Sequence, residues 1–335
     1  MKKGQIAIQF NWILVIVAGA LIFLFFFGII RWAQKNAEVS SSNTVTVYLD
    51  SIMTGAAVTK DTITEKNLPF QKIDITCENY RVNNNVNMKN IRNKIIFSPN
   101  RIEERNLILW SLGWNVPMRV TNFLFLSSPQ IRYIFMGDDT DDLFSFIKEY
   151  LPKEFNAEFN PSSIKNRNSQ KIRFISVNRP LNTKPVYLSI FKSTRSEDVT
   201  ALYIDNTGKL EFYVKSPVGV SPEFNFLGSS EFYGDASLFG AIISETVEDY
   251  DCNMKKAFER LGYISRIYLM KAEQLYNYYI LEGDLSCETV YSGYWNLALN
   301  ELRNGQPNYF KLSQAEIELE DKNIRAQEQS CALLY

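Results

Sequence analysis

The sequence predicts an α+β protein carried on one N-terminal transmembrane helix. A mixed, mainly antiparallel sheet domain over residues 47–235 follows, then a helical bundle over 236–335. Three observations predict it. An uncharged apolar run fills most of the first thirty residues, β-branched and aromatic runs recur through the middle, and the final third spaces its apolar residues by threes and fours.

The first element is the helix. Trp12 to Ile30 is a 19-residue apolar run interrupted only by Gly19 and Gly28. At about 1.5 Å per residue it spans roughly 28 Å, the hydrocarbon thickness of a bilayer. Gln5, Gln9 and Asn11 cluster at its start instead of forming a polar stripe, and Trp12 and Trp32 bracket it where interfacial aromatics belong. Residues 1–9 read as a basic leader and 10–32 as the helix in contact with lipid. Residues 33–46 (AQKNAEVSSSNTVT) read as a juxtamembrane linker or frayed helix end. The run is too long for a secretory h-region and no A-x-A-type site closes it, so an uncleaved single-pass anchor is expected. Lys2 and Lys3 against Arg31 and Lys35 lean toward a cytoplasmic N-terminus, with the main domain extracytoplasmic at the cell membrane.

Lys2-Lys3-Gly4-Gln5 ahead of a long apolar helix resembles the archaeal class III signal peptide, the type IV pilin-like leader. The resemblance covers about residues 1–30. It implies cleavage between Gly4 and Gln5 on the cytoplasmic face, and a helix that stays on the mature protein to pack in a filament or wait in the membrane. That family usually carries Glu five residues into the mature chain, a residue associated with subunit registry; here the position is Gln9. An ordinary signal anchor is the alternative.

In the body, Asn83–Asn87 reads as a loop, and Ile73–Cys77 alternates like a strand edge. Lys94–Ser98, Leu107–Trp110 (stopping near Gly113), Val120–Leu126 and Ile131–Met136 read as strands. Ser127–Gln130 is short enough to make the last two antiparallel neighbours. Asp141–Tyr150 reads as a helix ended by Pro152. Lys171–Val177, Val186–Phe191, Val199–Ile204 and Lys209–Val214 continue the sheet, with Asp205-Asn206-Thr207-Gly208 as a hairpin turn. Residues 238–279 are helical, with Gly262 a potential break, and Tyr294–Arg303 is a further helix. A last helix is expected from a capping box at Ser313–Glu316, with Ile317, Ile324 and Cys331 on its packing stripe.

Cys77, Cys252, Cys287 and Cys331 form no CxxC pair, which leaves two disulfides in an oxidising compartment or four buried thiols. If 252–287 is helix, those two cysteines lie too far apart to bridge, and Cys331 must reach one of them. Asn160-Pro161-Ser162 is disqualified as a glycosylation sequon by its proline.

There is no histidine, which removes the Ser-His-Asp and Cys-His systems and imidazole-bound zinc. Thirty-six basic against 37 acidic side chains give no general pull toward nucleic acid, and no nucleic-acid module or phosphate loop is present. Asp138, Asp139, Asp141 and Asp142 stand between a strand and a helix, where oxygen donors suit Mg or Ca. The same residues suit a helix N-terminus, which wants a cap and negative charge, and this second use is favoured because Thr140 and Leu143 break the EF-hand pattern. Tyr263, Tyr268, Tyr276, Tyr278 and Tyr279 offer a carbohydrate or partner surface or aromatic packing, Trp110 and Trp114 a pocket or a core corner, and Glu103-Glu104 acid-base groups or exposed loop charges. The expected function is a membrane-tethered binding or structural protein of the cell surface without a cofactor, in the manner of a pilin-like subunit, meeting an unidentified protein partner. The alternative is an anchored carboxylate enzyme with a divalent metal.

Overall fold

The computed structural model describes residues 4–83, 88–162, 171–179, 181, 194–217, 224–293, 295–303 and 309–335. Lys2, Lys3, residues 84–87 of the expected Asn-rich loop, the expected strand Val186–Phe191 and Tyr294 lie outside them.

Helix α1 (Gly4–Val58) runs unbroken for 55 residues. Within it Val15–Gln34 is long and apolar enough to cross a membrane, and 0% of that window is buried inside the protein. The expected linker, 33–46, is helical. It contains no Pro or Gly, and Ser42 and Val45 already belong to a packed face, so tertiary contact outweighs the weak helix propensity of Ser, Asn and Thr. Thr44 and Thr46 also turn their hydroxyls back onto the carbonyls of Ser40 and Ser42. Ser42, Val45, Leu49 and Met53 are each at most 4% exposed, and their three- and four-residue spacing puts them on one side of the helix.

That side rests on the first of two six-stranded sheets. Its strands are β1 (Thr62–Ile75), β2 (Asn79–Val82), β3 (Lys89–Asn90), β4 (Ile96–Phe97), β5 (Arg101–Val116) and β6 (Met118–Ser127), in the order β3-β2-β1-β5-β6-β4. All pairs are antiparallel except β4 with β6. β5 continues through Gly113, past its expected end. The second sheet has β7 (Ile131–Met136), β8 (Asn156–Phe159), β9 (Lys171–Val177), β10 (Val199–Ile204), β11 (Lys209–Lys215) and β12 (Phe224–Glu231), in the order β12-β11-β10-β9-β7-β8. Its β10-β9-β7-β8 half is parallel.

The α+β class with mixed sheets and C-terminal helices therefore holds, with the strands divided between two sheets. β7 does not pair with β6 across Ser128–Gln130; it enters the second sheet beside β9 and β8. A short connection guarantees proximity, not pairing. All seven residues of β9 and the first five of β7 are buried, as expected of parallel strands covered on both faces. The β10–β11 hairpin forms as expected, with Gly208 at φ 92° and the Asp205 carboxylate accepting from the backbone N–H groups of Thr207 and Lys209.

The helices are α2 (Asp142–Tyr150), α3 (Asp235–Ile243), α4 (Val247–Glu282), α5 (Leu285–Tyr291), α6 (Trp295–Arg303) and α7 (Tyr309–Glu328). From Ala236 to Ile243 every residue of α3 is buried, and Gly240 admits the Phe97 ring, which would lie 2.9 Å from an added Cβ. Gly262 does not break α4. It lets α6 approach, because a Cβ there would meet the Arg303 carbonyl oxygen at 3.1 Å. Nor does Ser313 cap α7, which is already helical from Tyr309. The packing face of α7 is Leu312, Ala315, Leu319 and Ala326; Ile317 and Ile324 are 63% and 55% exposed.

Glu245, between α3 and α4, ties the layers together. Its carboxylate accepts from Lys171 Nζ of β9 at 2.6 and 2.7 Å and from the Asn100 backbone N–H, which leads into β5. The Lys171 and Glu245 side chains are 7% and 9% exposed. The Glu245→Gln variant leaves a buried ammonium without its counter-charge and should lose about 3 kcal/mol or more in urea unfolding. Gly262→Val, pressed against backbone that cannot rotate aside, should lose about 1–3 kcal/mol in the same measurement.

Candidate functional site

The sequence-predicted acidic loop lies where β7, β8, β9 and β10 end. Gly137 follows β7, and only glycine fits there because an added Cβ would sit 2.3 Å from the Phe144 ring. Asp138 accepts from the Thr140 N–H and hydroxyl at 3.0 and 2.8 Å, and these two bonds hold its carboxyl below the ordinary carboxylate range. Asp139 pairs with Lys148 at 3.0 Å, which lowers it likewise. Asp141 is the N-cap of α2, accepting from the Phe144 N–H at 3.1 Å. Its other oxygen takes the amide of Asn178 at 2.5 Å, past the end of β9, and that of Asn206 at 3.4 Å, past the end of β10. Burial alone would raise Asp141, but these hydrogen bonds outweigh it and its carboxyl is lowered. Asp142 occupies the first turn of α2, where its charge suits the helix dipole.

The structure thus uses these carboxylates separately and does not converge them on one point. Among the described residues no group of three or more Asp, Glu, Cys or His side chains is placed to hold a metal ion. What it assembles instead is an amide-rich cluster around Asp141. Asn160, past β8, pairs with both backbone groups of Gly137 at 3.1 and 2.9 Å. The side-chain carbonyl of Asn178 accepts from the Asn206 N–H at 3.0 Å. Sequence reading placed Asn160 in a disqualified sequon and Asn206 in the hairpin turn, passed over Asn178, and gave none of the three a part in this cluster. The one local signal is that each follows a strand, and their convergence depends on β9 and β10 flanking β7.

The remaining candidates divide between core packing, ion pairing and exposed surface. Trp110 and Trp114 are buried, and the Trp114 indole N–H donates to the Tyr233 carbonyl at 2.7 Å. Glu103 lies between Lys72 and Arg101. Tyr279 is buried and its hydroxyl accepts from the Ala332 N–H, whereas Tyr263 and Tyr278 are 63% and 53% exposed.

The four cysteines form two disulfides, Cys77–Cys252 and Cys287–Cys331, with Cα separations of 6.1 and 5.6 Å. The continuity of α4 keeps Cys252 and Cys287 apart, as expected, and Cys331 takes Cys287.

A second feature lies on α1 just beyond the apolar run. Ser40, Thr44, Val45 and Tyr48 face Asn67, Leu68 and Pro69 across an open groove. A β-bulge between Asn67 and Gln71 lets this part of β1 lean on the helix. Among the described residues that line it, the groove mixes hydroxyl, amide and apolar groups.

The Asp141→Ala variant should lose about 1–2 kcal/mol, the worth of a side-chain cap, read as a lower urea midpoint. Because the folded carboxyl lies below its ordinary value of 3.8, the stabilisation is complete above that pH and fades as pH falls through the folded value. The gap between wild type and variant should therefore close in acid.

No protein-family model matches the chain, and neither the curated proteins nor the solved structures include a significant match to it.

Proposed function

We propose that this chain is a membrane-tethered extracytoplasmic protein of the cell surface, binding or structural in role and pilin-like in its use of the N-terminal helix. The observation that carries the reading is α1. One continuous helix leaves Val15–Gln34 bare and apolar, while its later turns are seated on a folded body. In water such a surface is costly, and a bilayer is the solvent that suits it. Two disulfides support an oxidising compartment for the body. The flanking charges favour a cytoplasmic N-terminus with residues 10–32 in the membrane. Lys2-Lys3-Gly4-Gln5 favours processing between Gly4 and Gln5. The partner is a protein at the cell surface, and the protein acts without a cofactor.

After expression of the full chain in its native host, the protein should sediment with membranes and resist alkaline extraction. Its mature N-terminus should read Gln5, and none of its cysteines should alkylate until reduced. Recovery in the soluble fraction, or full alkylation without reductant, overturns the reading. An N-terminus still at Met1 removes the pilin-like leader alone.

A further inference from the structure

The buried side of α4 is accounted for by α5, α6, the sheets and the C-terminal tail; its outer side is not. There Ile267, Met270, Tyr278 and Leu281 are 60%, 61%, 53% and 86% exposed. Such side chains, with the exposed Tyr263, present on the order of 600 Å² of apolar surface, at the upper limit of the largest patch on a typical monomer and close to the ~800 Å² each partner gives to a standard interface.

The order of these residues identifies what covers them. Around the exposed Gln274, Met270 and Tyr278 stand at minus four and plus four, and Ile267 and Leu281 at minus seven and plus seven. Arg266 and Glu282 stand at minus eight and plus eight, and neither has an ion pair among the described residues. A seam that reads the same in both directions is what a helix needs to pack against its own copy, antiparallel, about a two-fold axis. Each level then matches: Ile267 meets Leu281, Met270 meets Tyr278, Gln274 meets its own copy amide to amide, and Arg266 meets Glu282 at both ends. The steps of three, four, four and three residues keep these positions on one side of the helix and are themselves the same in both directions.

We infer that α4 is the contact of a homodimer, formed by antiparallel pairing of Arg266–Glu282 with the same segment of a second copy, its axis at Gln274. The inference stands apart from the membrane reading, since it rests on α4 alone.

The test uses the full chain in mild detergent, with protein mass measured by sedimentation. The wild type should be a dimer and Met270→Glu a monomer. Arg266→Glu, which opposes two carboxylates at each end, should weaken dimerisation by about tenfold or more, and adding Glu282→Arg should restore it. Gln274→Cys should cross-link to its own copy on a non-reducing gel. Arg266→Cys should not, because its copy lies about 24 Å away. Unchanged circular dichroism of Met270→Glu separates lost pairing from lost folding. A monomeric wild type overturns the inference. So does a dimer that survives Met270→Glu, or one whose Gln274→Cys variant stays uncross-linked, since either places the contact elsewhere.

Discussion

The seating of α1 on the first sheet is the constraint from which the rest follows. Ser42, Val45, Leu49 and Met53 hold the helix by one face. Tyr80 donates its hydroxyl to the Thr46 carbonyl, and Asp50 takes Lys94 at 2.7 Å and Lys89 at 3.7 Å. The Lys94 hydrogen bond is the main reason the Asp50 carboxyl is lowered. Because the helix is continuous, distance along it is fixed by residue count. Ser42 lies about 12 Å beyond Gln34, so the body begins immediately above the apolar segment with no flexible spacer between them.

The body is stiffened by polar links that cross its layers as well as by apolar contact. Arg173 of β9 sends its guanidinium to the carbonyls of Ala241, Ile242 and Glu245 at the C-terminal end of α3, where a positive charge suits the helix dipole. Glu245 itself reaches both sheets. Lys256 of α4 donates to the carbonyls of Cys77 and Lys94, and burial lowers its ammonium to about 8. These links sit beside an aromatic core in which Trp110 meets Phe125 and Phe239, and Trp114 meets Phe123 and Phe258.

What the sequence revealed follows from how local each signal is. The apolar run of α1, a cap among the acidic residues and Thr140 ahead of α2, and the Asp205–Gly208 hairpin are written in consecutive residues and were legible; that the capping residue is Asp141 was not. The extension of α1 to Val58 was not, because Ser, Asn and Thr spell a loop until Ser42 and Val45 find a sheet to rest on. The division into two sheets was hidden because Ser127–Gln130 marks a turn without saying which strand receives the chain next. At the candidate site the carboxylates were legible and their partners were not. Asn160, Asn178 and Asn206 belong to three different strand ends, and only the order β10-β9-β7-β8 brings them together. On α7 the seven-residue period was legible and its phase was not: Leu312, Leu319 and Ala326 repeat at that spacing on the buried side with Ala315, whereas Ile317 and Ile324 stand two residues, about 200°, around from it.

The two disulfides close covalent rings of unequal size, one enclosing β2 to β12 with α2 and α3, the other enclosing α6 and α7. A protease that severs any single peptide bond inside either ring leaves the molecule in one piece. Between Cys252 and Cys287 the chain is almost entirely α4, a poor substrate for cleavage. The stretch ahead of Cys77 is therefore where one cut would part the folded body from its apolar stem, and that stretch is α1 and β1.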